Sequence, residues 1–340
     1  MFGLGWLRAL TDARGLLEHA HHGVPRLGEG YTTDDNARAL LYLSLLPEGA
    51  RDEGLVRTYL AFLLHMQKAD ARFRRGLTLD GRFEDEGEAE DPTGRAVLAL
   101  AAAQRLPPPY AGPAREALLR ALPALEGFTS LRGRAYALLG LLALPKEPFL
   151  EAAEALGEGL LRAFREAEPA WPYPGPLTYA NHRPVEALYA YGLAFRRQEA
   201  VALARRALAF LKEHYFTPGE EGLFFDPVGN RFMARGRDKP LFDQQPIEAK
   251  CALLAHLRFG ERVLAEVAFL WFHGRNRLRA PLVDAFGPMD GLTPHGPNQN
   301  RGAEALLAYL LAWQALVQGV FPQVDEGVAL GRVFALGGRP

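Results

Sequence analysis

The sequence predicts an all-α protein built as a closed ring of six helical hairpins, and three observations lead there. Helix-period apolar stretches follow one another almost without interruption, with no convincing set of alternating strands between them. Six of these stretches open directly after a polar, chemically rich segment, at intervals of roughly 40–60 residues, the length of a helical hairpin with its loop. Between them lie stretches that are apolar on one face and charged on the other, so buried and half-buried helices alternate six times.

The elements follow in order. The N-terminal stretch at about 2–20 supplies one outer helix. Asp34-Asp35-Asn36 opens the inner helix that continues Ala37-Arg38-Ala39-Leu40-Leu41, and an amphipathic helix follows at about 53–68. Glu90-Asp91-Pro92-Thr93-Gly94-Arg95 opens the next inner helix, with an outer one at about 113–126. Ser130-Leu131-Arg132 opens the third, followed by about 148–167, and Thr178-Tyr179-Ala180-Asn181-His182 opens the fourth, followed by about 197–214. Asp243-Gln244-Gln245-Pro246 opens the fifth, followed by about 259–272, and Asn298-Gln299-Asn300-Arg301-Gly302 opens the sixth. Asp, Asn, Ser and Thr cap free backbone N–H groups, and proline is tolerated in a first turn, so each opening has sound local logic. If the six inner helices run parallel, all six openings meet at one end of the ring and form one cleft. An open solenoid of separately capped helices is the alternative.

Composition narrows the function. The net charge is −1 with acids and bases interspersed, which argues against nucleic acid as a partner. No apolar run approaches the length of a membrane span and no leader is visible, so a cytoplasmic protein with no membrane contact is expected. The single cysteine, Cys251, excludes an internal disulfide and reads as a buried inert thiol. His19, His21 and His22 read as a surface cluster, and neither a metal nor a cofactor is expected. Only five of the 39 basic residues are lysine, and Cys and Met are scarce, a composition that reads as thermophilic. The Pro/Gly clusters are short and spread throughout, so one domain over 1–340 is expected, with a tail at about 318–340 that packs across the ring or against another subunit.

Several blocks resemble one bacterial family. Gly30-Tyr31-Thr32-Thr33-Asp34-Asp35-Asn36-Ala37-Arg38 is similar to its glycine-tyrosine-x-x-aspartate-aspartate-asparagine-alanine-arginine block. Glu90–Arg95, Leu177–Asn181, Phe242–Ala249, Asp290-Gly291-Leu292 and Asn298–Glu304 match in order, so the resemblance spans about residues 12–315. The family is uncharacterised, occurs alone or fused to glycosyltransferases, and belongs to the six-hairpin glycosidase-like, or (α/α)6 toroid, group. The resemblance implies that fold, a sugar or oligosaccharide ligand, and a glycosyltransferase encoded separately as a further partner. This chain departs from the family at Ala305 and Leu306, where serine and threonine are usual.

Glycoside hydrolysis needs two carboxyl groups, one protonated and one ionised, on either side of the glycosidic oxygen. Candidates for the working pair are Asp35, Asp91, Asp243 and Glu304, each of which alternatively caps a helix or pairs with Arg38, Arg95, Arg132 or Arg301. Aromatic faces and amides at the same end suit sugar binding. The candidate binding set is Asp34, Asn36, Arg95, Arg132, Trp171, Tyr179, Asn181, His182, Gln244, Gln245, Glu248, Trp271, Asn298 and Asn300, with Trp271 readable equally as core. Three activities follow as expectations. A hydrolase of an intracellular oligosaccharide needs carboxylates facing across the cleft. An epimerase or isomerase needs a histidine pair, for which His182 and His295 are placed. A non-catalytic glycan-binding partner needs no free carboxylates, all being engaged by arginine.

Overall fold

The computed structural model describes residues 3–85, 89–144 and 146–320. Among these residues the chain forms twelve α-helices joined by loops that carry strands of two to four residues. The helices are α1 (Leu4–Ala9), α2 (Thr33–Leu45), α3 (Glu53–Met66), α4 (Glu90–Ala102), α5 (Pro108–Leu125) and α6 (Leu131–Leu141). They continue with α7 (Phe149–Glu166), α8 (His182–Ala194), α9 (Gln198–Tyr215), α10 (Pro246–Arg258), α11 (Arg262–Leu270) and α12 (Ala303–Gln318).

The even-numbered helices form the inner ring: α2 packs on α4, α4 on α6, α6 on α8, α8 on α10, α10 on α12, and α12 closes back on α2. Outside them α3, α5, α7 and α9 pack in sequence, α11 lies on α10 and α12, and α1 rests on α12. Burial explains the division. Nearly every residue of α2, α4, α8, α10 and α12 is buried, because these helices have neighbours on both sides, whereas α7 and α9 bury one stripe and expose charge on the other. This is the (α/α)6 architecture that the alternation predicts. No helix among the described residues is long and apolar enough to cross a membrane.

Several local details differ from the sequence reading, among them the start of α5 at Pro108 rather than about 113. The N-terminal helix covers Leu4–Ala9 rather than about 2–20. Asp12 turns the chain instead, its carboxylate accepting the N–H groups of Arg14 (2.8 Å) and Gly15 (3.2 Å), and Thr11 then pairs with Leu16 as a bridge. Asp34 does not cap α2. Thr32 does, accepting the Asp35 N–H at 3.2 Å, which leaves Asp34 for an ion pair. Ser130 caps α6 as expected, accepting the Gly133 N–H at 3.2 Å. The tail expected at about 318–340 lies outside the described residues from 321 onward.

Glycine sets how closely the inner helices approach. A Cβ on Gly94 of α4 would lie 2.4 Å from the backbone oxygen of Gly133, and one on Gly133 would lie 2.9 Å from that of Glu90. The α4–α6 contact is therefore backbone against backbone, and it brings Asp91 of one opening against Ser130 and Arg132 of the next.

Candidate active site

At the N-terminal end of the inner helices lies a cavity of about 690 Å³, within the usual range for a small-molecule site. Its wall takes residues from α2 (Asp34, Asp35, Arg38), α4 (Asp91, Pro92), the opening of α8 (Tyr179), α10 and its cap (Gln245, Pro246) and α12 (Glu304, Ala305). The α6 opening joins through Asp91, which accepts hydrogen bonds from Ser130 Oγ (2.6 Å), Arg132 Nε (2.8 Å) and Tyr179 OH (2.9 Å). Segments far apart in sequence thus meet at one hollow. The rest of the wall comes from loops: Glu18, His19, Arg26 and Glu29 before α2, Arg75 between α3 and α4, and Asp290, Asn298, Asn300 and Gly302 before α12.

The charges are ordered. Arg38 is buried and bridges two acids, donating from Nη1 to Asp35 (2.5 Å) and from Nη2 to Glu304 (2.9 Å). Arg95 pairs with Asp34 at 2.9 Å and lies 4.1 Å above the Tyr136 ring. Arg132 stacks on Tyr179 at 3.9 Å and donates to Thr178 at 2.9 Å. Environment then divides the carboxyls. Burial pushes Asp91 up, but Arg132, Arg95 and the Ser130 hydroxyl outweigh it and hold the group below its ordinary value. Burial first, then the nearby Asp35, pushes Glu18 up to about 7. Asp35 and Asp290 are raised by burial and by their acidic neighbours, Glu304 among them. Glu18, Asp35, Asp290 and Glu304 form one electrostatic cluster, with Gly302 fitted between two of them: a Cβ there would lie 3.0 Å from the Glu18 carbonyl and 3.2 Å from the Asp290 carboxylate.

Of the four acids expected to work as a pair, Asp35, Asp91 and Glu304 line the cavity; Asp243 is exposed and does not line it. Of the binding set, Asp34, Tyr179, Gln245, Asn298 and Asn300 line it, and Arg132 reaches it through Asp91. The others stand behind the wall. Asn36 is buried and braces the entry to α2, accepting the Leu16 N–H (2.8 Å) and donating to Thr32 O (2.8 Å). Asn181 accepts the Thr178 N–H (2.9 Å) and donates to Tyr215 OH (2.7 Å), and Glu248 accepts the Ala180 N–H, so together they fix the loop that presents Tyr179. Gln244 is buried, donating to Asp226 (2.8 Å) and accepting from Trp271 Nε1 (2.9 Å), while its backbone pairs with Leu292. That pairing docks the segment carrying Asp290. Trp271 is fully buried core. Trp171 packs on Phe210 and donates to Gly175 O (2.8 Å), outside the cavity. Arg95 lies beneath Asp34. His182 is fully buried against Tyr215 and His256, its basicity pushed well below the ordinary value by burial, and His295 is exposed on the 292–297 hairpin. Glu18 and Asp290 were not among the expected site residues. Asp290 had a signal, the Asp290-Gly291-Leu292 block; Glu18 sits in a loop with no periodic pattern to place it.

No protein-family profile and no curated protein sequence matches the chain. Solved structures do. A cellobiose 2-epimerase from Bacillus thermoamylovorans superposes with a TM-score of 0.66 at 8% identity, covering 91% of this chain and 95% of its own. A D-mannose isomerase gives 0.66 at 9% identity over 93% and 95%. The GH76 α-mannanase of Bacteroides thetaiotaomicron gives 0.62 at 11% identity over 98% and 95%. By its fold, the chain is an (α/α)6 toroid.

Proposed function

We propose that this protein is a carbohydrate-active enzyme, a glycoside hydrolase that cleaves an oligosaccharide in the carboxylate-lined cavity, with the whole chain acting as one (α/α)6 domain in the cytoplasm. The observation that carries the reading is the split among carboxyls in one cavity: Glu18 is raised to about 7, and Glu304, which lines the same cavity, is ion-paired with Arg38. Glu18 is the general acid that protonates the leaving oxygen. Glu304, half-exposed and held by Arg38, is the carboxylate that activates water or attacks. Tyr179, Asn298, Asn300 and Gln245 supply the stacking face and amides for hydroxyl groups. Three superposable proteins that act on sugars support the substrate class. The paired-histidine requirement of the epimerase expectation finds no support at His182 or His295, one in the core and the other on an exposed hairpin.

A second reading has its own observation. Asp34, Asp35, Asp91 and Glu304 all pair with arginine, as a glycan-holding partner of a separately encoded glycosyltransferase would require. Glu18 and Asp290 have no arginine ion pair among the described residues, which supports the catalytic reading. The test is a panel of oligosaccharides assayed for released reducing sugar with the parent, Glu18→Gln and Glu304→Gln. Release by the parent, lost in both variants, is expected. Binding without release by the parent establishes the second reading instead.

A further inference from the structure

Below the cavity floor, on the axis of the ring, lies a second space of about 10 Å³, room for one water-sized particle. All six inner helices reach it: Arg38 from α2, Arg95 from α4, Tyr136 from α6, Arg183 from α8, Lys250 from α10 and Leu311 from α12. The four cations among them are buried, between 2 and 6% exposed. Arg95 and Arg183 both lie over the Tyr136 ring, at 4.1 and 5.6 Å from its centre.

The ion pairs around this space leave one lining cation out. Arg38 is met by Asp35 and Glu304, Arg95 by Asp34, and Arg183 by Glu186, which also serves Arg258 at 3.0 Å. Lys250 makes no ion pair among the described residues. Burial, with the three neighbouring guanidinium groups adding to it, pushes Lys250 down to about 7. The donors are also incomplete. Arg38 Nε, Arg95 Nη1, Arg183 Nε and the Tyr136 hydroxyl are buried with no protein hydrogen-bond partner. Buried donors and charges left in this state are costly, and one small anion would satisfy both deficits.

We propose that the axial space is a binding site for a single monatomic anion, chloride under ordinary conditions, held by Lys250, the arginine N–H groups and Tyr136 OH. A carboxylate or phosphate is too large for it. The ion ties together helices from every part of the ring and sits behind Arg38, the residue that holds Asp35 and Glu304. The proposal is independent of the carbohydrate reading, since it concerns groups below the cavity and is read without substrate.

The test follows thermal unfolding of the full chain at neutral pH in sodium chloride and in sodium methanesulfonate of equal ionic strength. Chloride is expected to raise the midpoint saturably, by roughly 3–6 °C at a hundredfold excess over its Kd, and methanesulfonate to leave it unmoved. Lys250→Met removes the cation that has no ion pair and is expected to lose the chloride-specific shift; Tyr136→Phe, which deletes one oxygen, is expected to weaken it. Crystals soaked in bromide are expected to show an anomalous peak between Lys250 and the arginines. Equal midpoints in the two salts, or bromide absent from the axis, would overturn the proposal. So would a chloride shift in Lys250→Met equal to the parent's. Should Lys250→Met fail to fold, Tyr136→Phe and the bromide map give the same decision.

Discussion

Burial and Asp35 raise the Glu18 carboxyl to about 7, while Arg132 and Arg95 overcome burial to hold Asp91 low, although both acids line one cavity. If Glu18 donates the proton, turnover must fall as pH rises past about 7, and Glu18→Gln should lower kcat by about 10²–10⁴-fold, read from initial rates across pH. Glu248 gives a stability prediction instead. It is fully buried and its carboxyl is raised by burial to about 7 from 4.5, with the Ala180 N–H only partly offsetting that cost. A raised carboxyl binds its proton more tightly in the folded chain, so its contribution is present at low pH and is lost as pH rises from 4.5 to about 7. Glu248→Gln should flatten that part of the profile, worth on the order of 3 kcal/mol between pH 5 and pH 8 by urea unfolding. Residue roles were the least legible level in the sequence. A buried amide such as Asn36 or Gln244 looks the same in sequence whether it serves a ligand or its own backbone, and only the fold shows that these two brace loops.

The inner helices were legible because two-sided burial leaves a plain mark, long runs of Ala and Leu after a polar opening, and the outer ones because one-sided burial leaves an amphipathic stripe. The observed Glu53–Met66, Phe149–Glu166 and Gln198–Tyr215 fall within two residues of the ranges that periodicity predicts. The loops were not legible. Their strands are two to four residues long, too short for alternation to register, yet they deliver Glu18 and Asp290 to the site. At this scale the sharpest prediction concerns the α4–α6 contact. Gly94→Ala places a methyl group 2.4 Å from the Gly133 backbone oxygen, which cannot swing aside. A loss of about 1–3 kcal/mol in urea unfolding is expected, with weakened activity because Asp91 and Arg132 face each other across that contact.

Ring closure sets the behaviour of the molecule as a whole. α12 joins α10 to α2, and the Arg38–Glu304 ion pair spans that seam at 2.9 Å. Removing residues 302–340 would uncover the apolar faces of α2 and α10 together, so the shortened chain should bind a hydrophobic dye and lose its cooperative thermal transition, both measurable by fluorescence. The closed ring also brings openings separated by more than two hundred residues, Asp34 and Glu304 among them, to a shared hollow. The most direct measurement of that convergence as a sugar site is a crystal structure of Glu18→Gln soaked with an oligosaccharide that the parent cleaves. An intact sugar is expected across the cavity, its glycosidic oxygen beside residue 18 and its hydroxyl groups on Asn298, Asn300 and Gln245. A sugar seated elsewhere on the molecule, with this cavity holding none, would contradict it.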